Sequence, residues 1–249
     1  MILFGMESLL TRYFLQAVQH VHPVELCVIP AFGQHESRLL PSVQRHMITP
    51  ATLTETAAMY GVPIFALAAW RDIAPYLASQ RRIVVCCFPR RIPAWIRQYP
   101  HCNIHPSLLP ALRGPDPLFY TARGDAHAGV SVHRMDATYD TGDILMQTAV
   151  DVSQCEDETA FIRQHALIAA QLFGDDTLWH QHAIPQPLHG VSYAGHPVAA
   201  DFVLEPHWTL ARVRQFMRCT NARNHPYWVP QLKRWVTTFA EVEMLTWGQ

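Results

Sequence analysis

The stretch Arg82-Ile83-Val84-Val85-Cys86-Cys87-Phe88 decides the fold. It is rich in β-formers and apolar enough to be buried on both faces, as a strand is inside a parallel sheet with helices on either side. On its N-terminal side, residues 1–5 and Val24 to Ile29 read as strands, and Pro63 to Leu67 as a short one. Ser8 to Val21 carries Leu10, Phe14, Ala17 and Val21 at helical spacing, a helix is expected near Ala51 to Tyr60 before Gly61, and Asp72 to Ser79 looks helical. On its C-terminal side, strands are expected at Cys102 to His105, Val130 to Met135 and Ile144 to Val150. An amphipathic helix from about Glu158 to Phe173 follows, with Ala160, Phe161, Leu167, Ile168 and Leu172 available to face the sheet. This alternation implies an α/β fold with a doubly wound, mostly parallel, Rossmann-like sheet. Residues 1–183 would form the main domain. Ile184-Pro185-Gln186-Pro187-Leu188 reads as a proline-punctuated linker into a small C-terminal module, residues 184–249, with one helical piece at Leu210 to Cys219.

A formal charge of −1 over 249 residues gives no bulk attraction to nucleic acid or to an anionic membrane. The longest strongly apolar run, Val62 to Trp70, contains a proline and falls far short of a spanning helix. No basic-then-apolar leader opens the chain, so a cytoplasmic protein is expected. The six cysteines are scattered without a CxxC pair, as reduced, buried thiols would be. The pairs His20/His22 and His180/His182 lack a third ligand at suggestive spacing, and no metal site is expected.

The polar residues of interest lie in Asn103-Ile104-His105-Pro106-Ser107-Leu108-Leu109-Pro110 and Tyr139-Asp140-Thr141-Gly142-Asp143. Asn103 and His105 are two apart and leave the same face of an extended segment. Asp140 arrives from elsewhere. The intervening length suits a parallel crossover, which brings two strand ends to one edge, where open sheets bind ligands. An imidazole beside a carboxylate has its protonated form stabilised, and the amide adds a neutral donor, so the trio suits a developing oxyanion. Spacing alone also allows a turn with satisfied polar groups at Asn103 and a surface turn at Asp140. His133, within the strand-like Gly129-Val130-Ser131-Val132-His133-Arg134-Met135, reads as a packed, hydrogen-bonded residue.

Residues Asn103 to Gly114, then Gly129 to His133, then Asp140-Thr141-Gly142-Asp143-Ile144-Leu145 resemble the ordered signature of the 10-formyltetrahydrofolate-dependent formyltransferases. That family includes glycinamide ribonucleotide, methionyl-tRNA and sugar-nucleotide formyltransferases. The resemblance is strong from about residue 82 to 150 and faint after 185. It implies that Asn103, His105 and Asp140 are the catalytic asparagine, histidine and aspartate, with Asp143 the competing carboxylate. It implies 10-formyltetrahydrofolate as formyl donor and a primary amine on a small molecule as acceptor, an amino sugar nucleotide among the candidates. The pteridine would lie between two loops, Phe88 to Pro93, with Arg90, Arg91 and Ile92, and Ala137-Thr138-Tyr139-Asp140-Thr141-Gly142-Asp143, held largely through main-chain groups. Arg90 and Arg91 either meet the folate glutamate tail or form a solvated loop. The alternatives are a 10-formyltetrahydrofolate hydrolase, a methionyl-tRNA formyltransferase-like enzyme and a non-catalytic folate-binding protein.

Two departures bear on the acceptor. Gly5-Met6-Glu7-Ser8 lacks the second glycine of a phosphate-cradling turn, and a carboxylate at that helix start would repel a phosphate. The C-terminal module shows no basic clustering beyond Arg212, Arg214, Arg218 and Arg223, so nucleic acid is not the expected partner. Family members dimerise through different surfaces, so a homodimer is compatible with the resemblance without being required by it.

Overall fold

The computed structural model describes residues 1–31, 52–77, 81–174 and 176–246. The polar stretch expected before the second helix, and the ends of the segments predicted at 51–60 and 72–79, lie outside the described residues. Seven strands form one sheet: β1 (Ile2–Phe4), β2 (Leu26–Pro30), β3 (Ile64–Leu67), β4 (Ile83–Cys86), β5 (His101–His105), β6 (Gly129–His133) and β7 (Ile144–Ala149). Their order is β3-β2-β1-β4-β5-β6-β7, and the pairings from β3 to β5 are all parallel. Every residue of β4 is buried, as the apolar run predicted.

The crossover expected between Asn103 and Asp140 is not parallel. β6 runs antiparallel to β5, and β7 antiparallel to β6. The helix between them, α3, covers only Pro117–Arg123. A helix of that length rises about 10 Å, whereas a strand like β5 spans about 16 Å, so the chain re-enters the sheet from the edge it has just left. The sheet remains mostly parallel, and the reversal sets the register Asn103↔His133 and His105↔Ser131.

Alternation along the strands builds two cores. Leu3, Cys27, Val84, Cys86, Cys102, Ile104, Val130 and Val132 join one cluster, whereas Ile2, Phe4, Leu26, Val28, Ile83 and Val85 join the other. The first cluster is covered by α1 (Leu9–Val18) and α4 (Glu158–Gln171), which pack on each other. Their N-termini are capped by Ser8, which accepts from the Thr11 N–H, and by Asp157, which accepts from the Ala160 N–H. Because Cys102 and Ile104 belong to that side, Asn103 and His105 project to the opposite face of the sheet.

The helix predicted at 72–79 is a 3₁₀ turn over Trp70–Tyr76 with Pro75 inside it. Proline supplies no N–H for an α-helical ladder. α2 (Thr52–Met59) takes the Glu7 carboxylate at its N-terminus, where Leu53 N–H donates at 2.6 Å and Thr54 N–H at 3.2 Å. The charge of Glu7 thus serves the positive end of α2, not the start of α1 as the sequence suggested. Ser8 is buried as a cap and unavailable to an acceptor.

Beyond α4 come α5 (Thr177–His180), α6 (Leu210–Thr220), the antiparallel pair β8 (Tyr227–Val229) and β9 (Arg234–Val236), and α7 (Phe239–Thr246). Residues from both sides of position 184 share one cluster, in which the Phe119 ring of α3 meets Phe202 and Phe216. Arg223 is buried beneath this contact, paired with Asp116 at 2.9 Å and with Glu158 at 3.3 Å. Trp208 packs edge-on against Phe216, whereas Trp235 is 45% exposed. No helix among the described residues is long and apolar enough to cross a membrane.

Candidate active site

Asn103, His105 and Asp140 meet. Asp140 Oδ1 lies 3.6 Å from His105 Nδ1 and 3.3 Å from Asn103 Nδ2. The other carboxylate oxygen, Oδ2, accepts the Gly114 N–H at 2.9 Å. His105 Nε2 is 2.8 Å from the Leu112 carbonyl. A carbonyl only accepts, so Nε2 carries the proton and Nδ1 turns its lone pair toward Asp140.

His133 belongs to the same cluster. Its Nδ1 lies 2.7 Å from the Arg134 carbonyl, which assigns the proton to Nδ1 and leaves Nε2 to accept from Asn103 Nδ2 at 3.0 Å. Nε2 also stands 3.6 Å from Asp140 Oδ1. The packed, hydrogen-bonded role expected of His133 holds, and it lines the cleft as well. Period-two alternation through Gly129-Val130-Ser131-Val132-His133 was the signal, since it puts Ser131 and His133 on one face.

Burial is the largest influence on His105, only 4% exposed, and it lowers the imidazole below its usual range despite the opposing Asp140 carboxylate and Leu112 carbonyl. The expectation that Asp140 keeps His105 protonated is therefore corrected: the ring is neutral at pH 7. Burial opposes ionisation of Asp140 too, yet at the acid pH where it titrates the positive charge on His105 and His133, with the Gly114 N–H, holds its carboxyl down to about 2. The resting site is an anionic carboxylate beside a neutral imidazole whose free nitrogen faces it. Any proton arriving at Nδ1 is stabilised by the adjacent charge.

The loop after β5 is braced by residues that spacing did not single out. Ser131 Oγ accepts from Leu109 N–H at 3.0 Å and donates to the Ser107 carbonyl at 2.6 Å, while Gln147 Nε2 donates to Ser131 Oγ and to the Leu109 carbonyl, each at 2.7 Å. Gly114 has φ +115°, and a Cβ there would stand 2.6 Å from the Ala194 carbonyl oxygen. Gly114→Ala is expected to cost about 1–3 kcal/mol of folding stability through backbone strain, and to displace the N–H that Asp140 accepts. Urea denaturation of parent and variant measures it.

A cleft of about 520 Å³ opens over this cluster. Phe88, Arg90, Arg91, Ile92, Ala137, Thr138 and Tyr139, from the two loops to which the resemblance assigns the pteridine, line it. Thr141, Gly142 and Asp143 are not among its lining residues. The Thr141 hydroxyl donates to Asp136 Oδ2 at 2.7 Å, Gly142 turns so closely that a Cβ would overlap the Arg134 carbonyl, and the Asp143 carbonyl accepts the Arg134 N–H at 2.8 Å. These contacts hold the loop together. Arg90 is half-buried, whereas Arg91 is exposed, as a solvated loop would have it. Arg90 donates to the Leu67 carbonyl at 2.9 Å and lies over the Trp70 ring, and Arg91 donates to the Ala137 carbonyl, joining the two lining loops. Met6, Leu10, Asp116, Tyr193 and His196 complete the wall and escaped sequence reasoning, because they come from distant segments.

A polar cluster beyond the carboxyl edge of a largely parallel sheet, under a roomy cleft, defines a Rossmann-like α/β protein with its site at the strand ends. Residues 52–172 match the model of the formyl transferase family. That match spans 121 of the 249 residues, so the likeness to the formyltransferase family extends over about half of the chain. It is 34% identical over 149 residues to a methionyl-tRNA formyltransferase of Variovorax paradoxus, covering 54% of this chain and 45% of that protein. It is 33% identical over 121 residues to a GDP-perosamine N-formyltransferase of Brucella melitensis, covering 47% of this chain and 46% of the relative. The chain thus spans about half the length of these curated relatives. Among solved structures, a sugar N-formyltransferase from a Shewanella species superposes with TM-score 0.60 at 18% identity over 94% of both chains. A 4-N formyltransferase from Francisella tularensis gives 0.59 at 17% identity, again over 94% of each. At these identities the likeness is one of fold.

Proposed function

We propose that this protein is an enzyme that transfers a formyl group from 10-formyltetrahydrofolate to a primary amine on a small acceptor, with an amino sugar nucleotide as the favoured class. The observation that carries this reading is the convergence of Asn103, at 3.3 Å, and His105, at 3.6 Å, on the Asp140 carboxylate under the cleft. In this reading the amine nitrogen attacks the formyl carbon, and the carbonyl oxygen becomes an anion. Asn103 gives up its longer bond to Asp140, 3.3 Å, and donates that hydrogen to the oxyanion. The His105–Asp140 pair receives the proton lost by the amine and returns it to the folate nitrogen as the carbon–nitrogen bond to the donor breaks. The neutral, low-pKa imidazole is a base in its resting form, which suits this order of events.

The loops joined by Arg91 and Ala137 supply the folate side. Residues 184–249 form a small module whose Tyr193 and His196 present the acceptor side, in a cytoplasmic enzyme. His196 Nδ1 is buried without a hydrogen-bond partner, an open position for a hydroxyl of the acceptor. The similarity to a methionyl-tRNA formyltransferase over 149 residues favours methionyl-tRNA as the second acceptor to test.

The test is release of tetrahydrofolate from 10-formyltetrahydrofolate with a panel of amino sugar nucleotides, simpler amines and methionyl-tRNA. Turnover that requires an amine is expected, and His105→Ala is expected to reduce kcat by about 10²–10⁴. Formate release without any amine would identify a hydrolase. Folate binding with no turnover, unaffected by replacing the trio, would identify a binding protein.

A further inference from the structure

We propose that Gln186, held by Arg113, is a positioning residue that sets the geometry of the Asp140 carboxylate. This rests on the reading of Asn103, His105 and Asp140 as the reacting group. Gln186 Nε2 donates to the Asp140 carbonyl at 2.9 Å and to the Gly142 carbonyl at 2.8 Å, while Oε1 accepts from Arg113 Nε at 3.1 Å and from Arg113 Nη2 at 2.6 Å. The four bonds use the whole capacity of a carboxamide, two hydrogens and two lone pairs. The two carbonyls that accept from it belong to the 140–141 and 142–143 peptides, so the turn is pinned on both sides of the Thr141–Gly142 bond.

The locked turn is one that the backbone would otherwise leave. Asp140 has φ 56°, in the left-handed region, which an aspartate enters at a cost and keeps only when its surroundings demand it. Relaxation of that φ swings the carboxylate away from His105. The clamp also couples three consecutive residues to the site: Leu112 accepts from His105, Arg113 grips Gln186, and Gly114 donates to the Asp140 carboxylate. Leu112 is itself left-handed, at φ 57°. The same loop is bonded to the segment that carries Gln186 and Tyr193, with the Arg113 N–H on the Ser192 carbonyl at 3.0 Å and the Ala194 N–H on the Arg113 carbonyl at 2.6 Å. Tyr193, 70% exposed at the cleft, rides on this segment, so a group that seats against it bears on the clamp.

The experiment compares the full chain with Gln186→Met, of similar volume and without hydrogen-bonding capacity, in the parent and in an Asp140→Asn background. Tetrahydrofolate release at saturating donor is expected to fall about 10- to 100-fold in Q186M, with the KM for 10-formyltetrahydrofolate changed less than about threefold. In the Asp140→Asn background the added loss should be under about twofold, because Gln186 acts through the group already removed. Equal losses in both backgrounds, or a kcat for Q186M within twofold of the parent, would overturn the proposal while His105→Ala still upholds the catalytic trio. A readout independent of turnover is the ¹⁵N imidazole spectrum. The His105 signals should move in Q186M as Asp140 departs, and unmoved signals overturn the positioning role even if no acceptor supports turnover. Should Q186M not fold, Arg113→Met, which frees the amide oxygen of Gln186, carries the same readouts.

Discussion

Asp140→Asn is expected to lower kcat for formyl transfer about 10³-fold, measured as tetrahydrofolate release with the parent's best acceptor. The substitution preserves size and leaves an oxygen to accept the Gly114 N–H. It removes the charge that stabilises a proton on His105 Nδ1, 3.6 Å away. A burial-lowered imidazole without that neighbour is a poorer resting place for the amine proton, so the transition state loses more than the ground state. The cost in stability is separable. The Asp140 carboxyl sits at about 2 in the folded protein against 3.8 as a free side chain, so folding favours its ionised form. Because the folded value is depressed, that contribution is present above the unfolded value and disappears as pH falls through about 2. The parent's stability advantage over the asparagine variant should therefore shrink across that acid window. A variant that keeps parental kcat would exclude Asp140 from the chemistry.

Removing the cation at Arg223 gives the largest stability effect. Arg223→Met is expected to cost about 3–5 kcal/mol, because it leaves Asp116 and Glu158 buried without a positive partner. Asp116 also caps α3, accepting the Phe119 N–H at 3.4 Å, and lines the cleft, so the loss reaches the site. The sign of the pH dependence follows from Glu158. Burial, more than any neighbour, pushes its carboxyl up to about 7 from 4.5, although Arg223 pulls it down. Its contribution is complete below the unfolded value and is lost as pH rises through about 7. Without the guanidinium that loss grows. Chemical denaturation at pH 5 and pH 8 should show a larger deficit for the variant at pH 8, and a deficit independent of pH would contradict this electrostatic account.

How much of this was legible in the primary order depends on the range of the interaction responsible. The apolar run at 82–88 and the helical stripes of α1 and α4 are local patterns, and they predicted strands and helices close to where they lie. Element ends differed by up to three residues where caps and frayed turns decide them. The two-residue spacing of Asn103 and His105 likewise assigned them to one face, because alternation is a property of the strand alone.

The direction of β6 was not legible, since it depends on the length of a crossover helix measured against a strand. Nor was His133, which becomes Asn103's partner only through the antiparallel register. Gln186 looked like part of a linker, yet its side chain closes on a carbonyl 46 residues earlier. Charge states were likewise out of reach: spacing put a carboxylate near an imidazole, but only burial shows which of the two keeps its proton.

Periodicity along the chain was enough for the α/β class and for placing Asn103 and His105 on one face, because backbone geometry imposes those repeats wherever the chain runs. The neutral state of His105, the clamp on Asp140 and the walls of the cleft arose only on folding. Desolvation and long-range hydrogen bonds act between groups that become neighbours only once the sheet has closed.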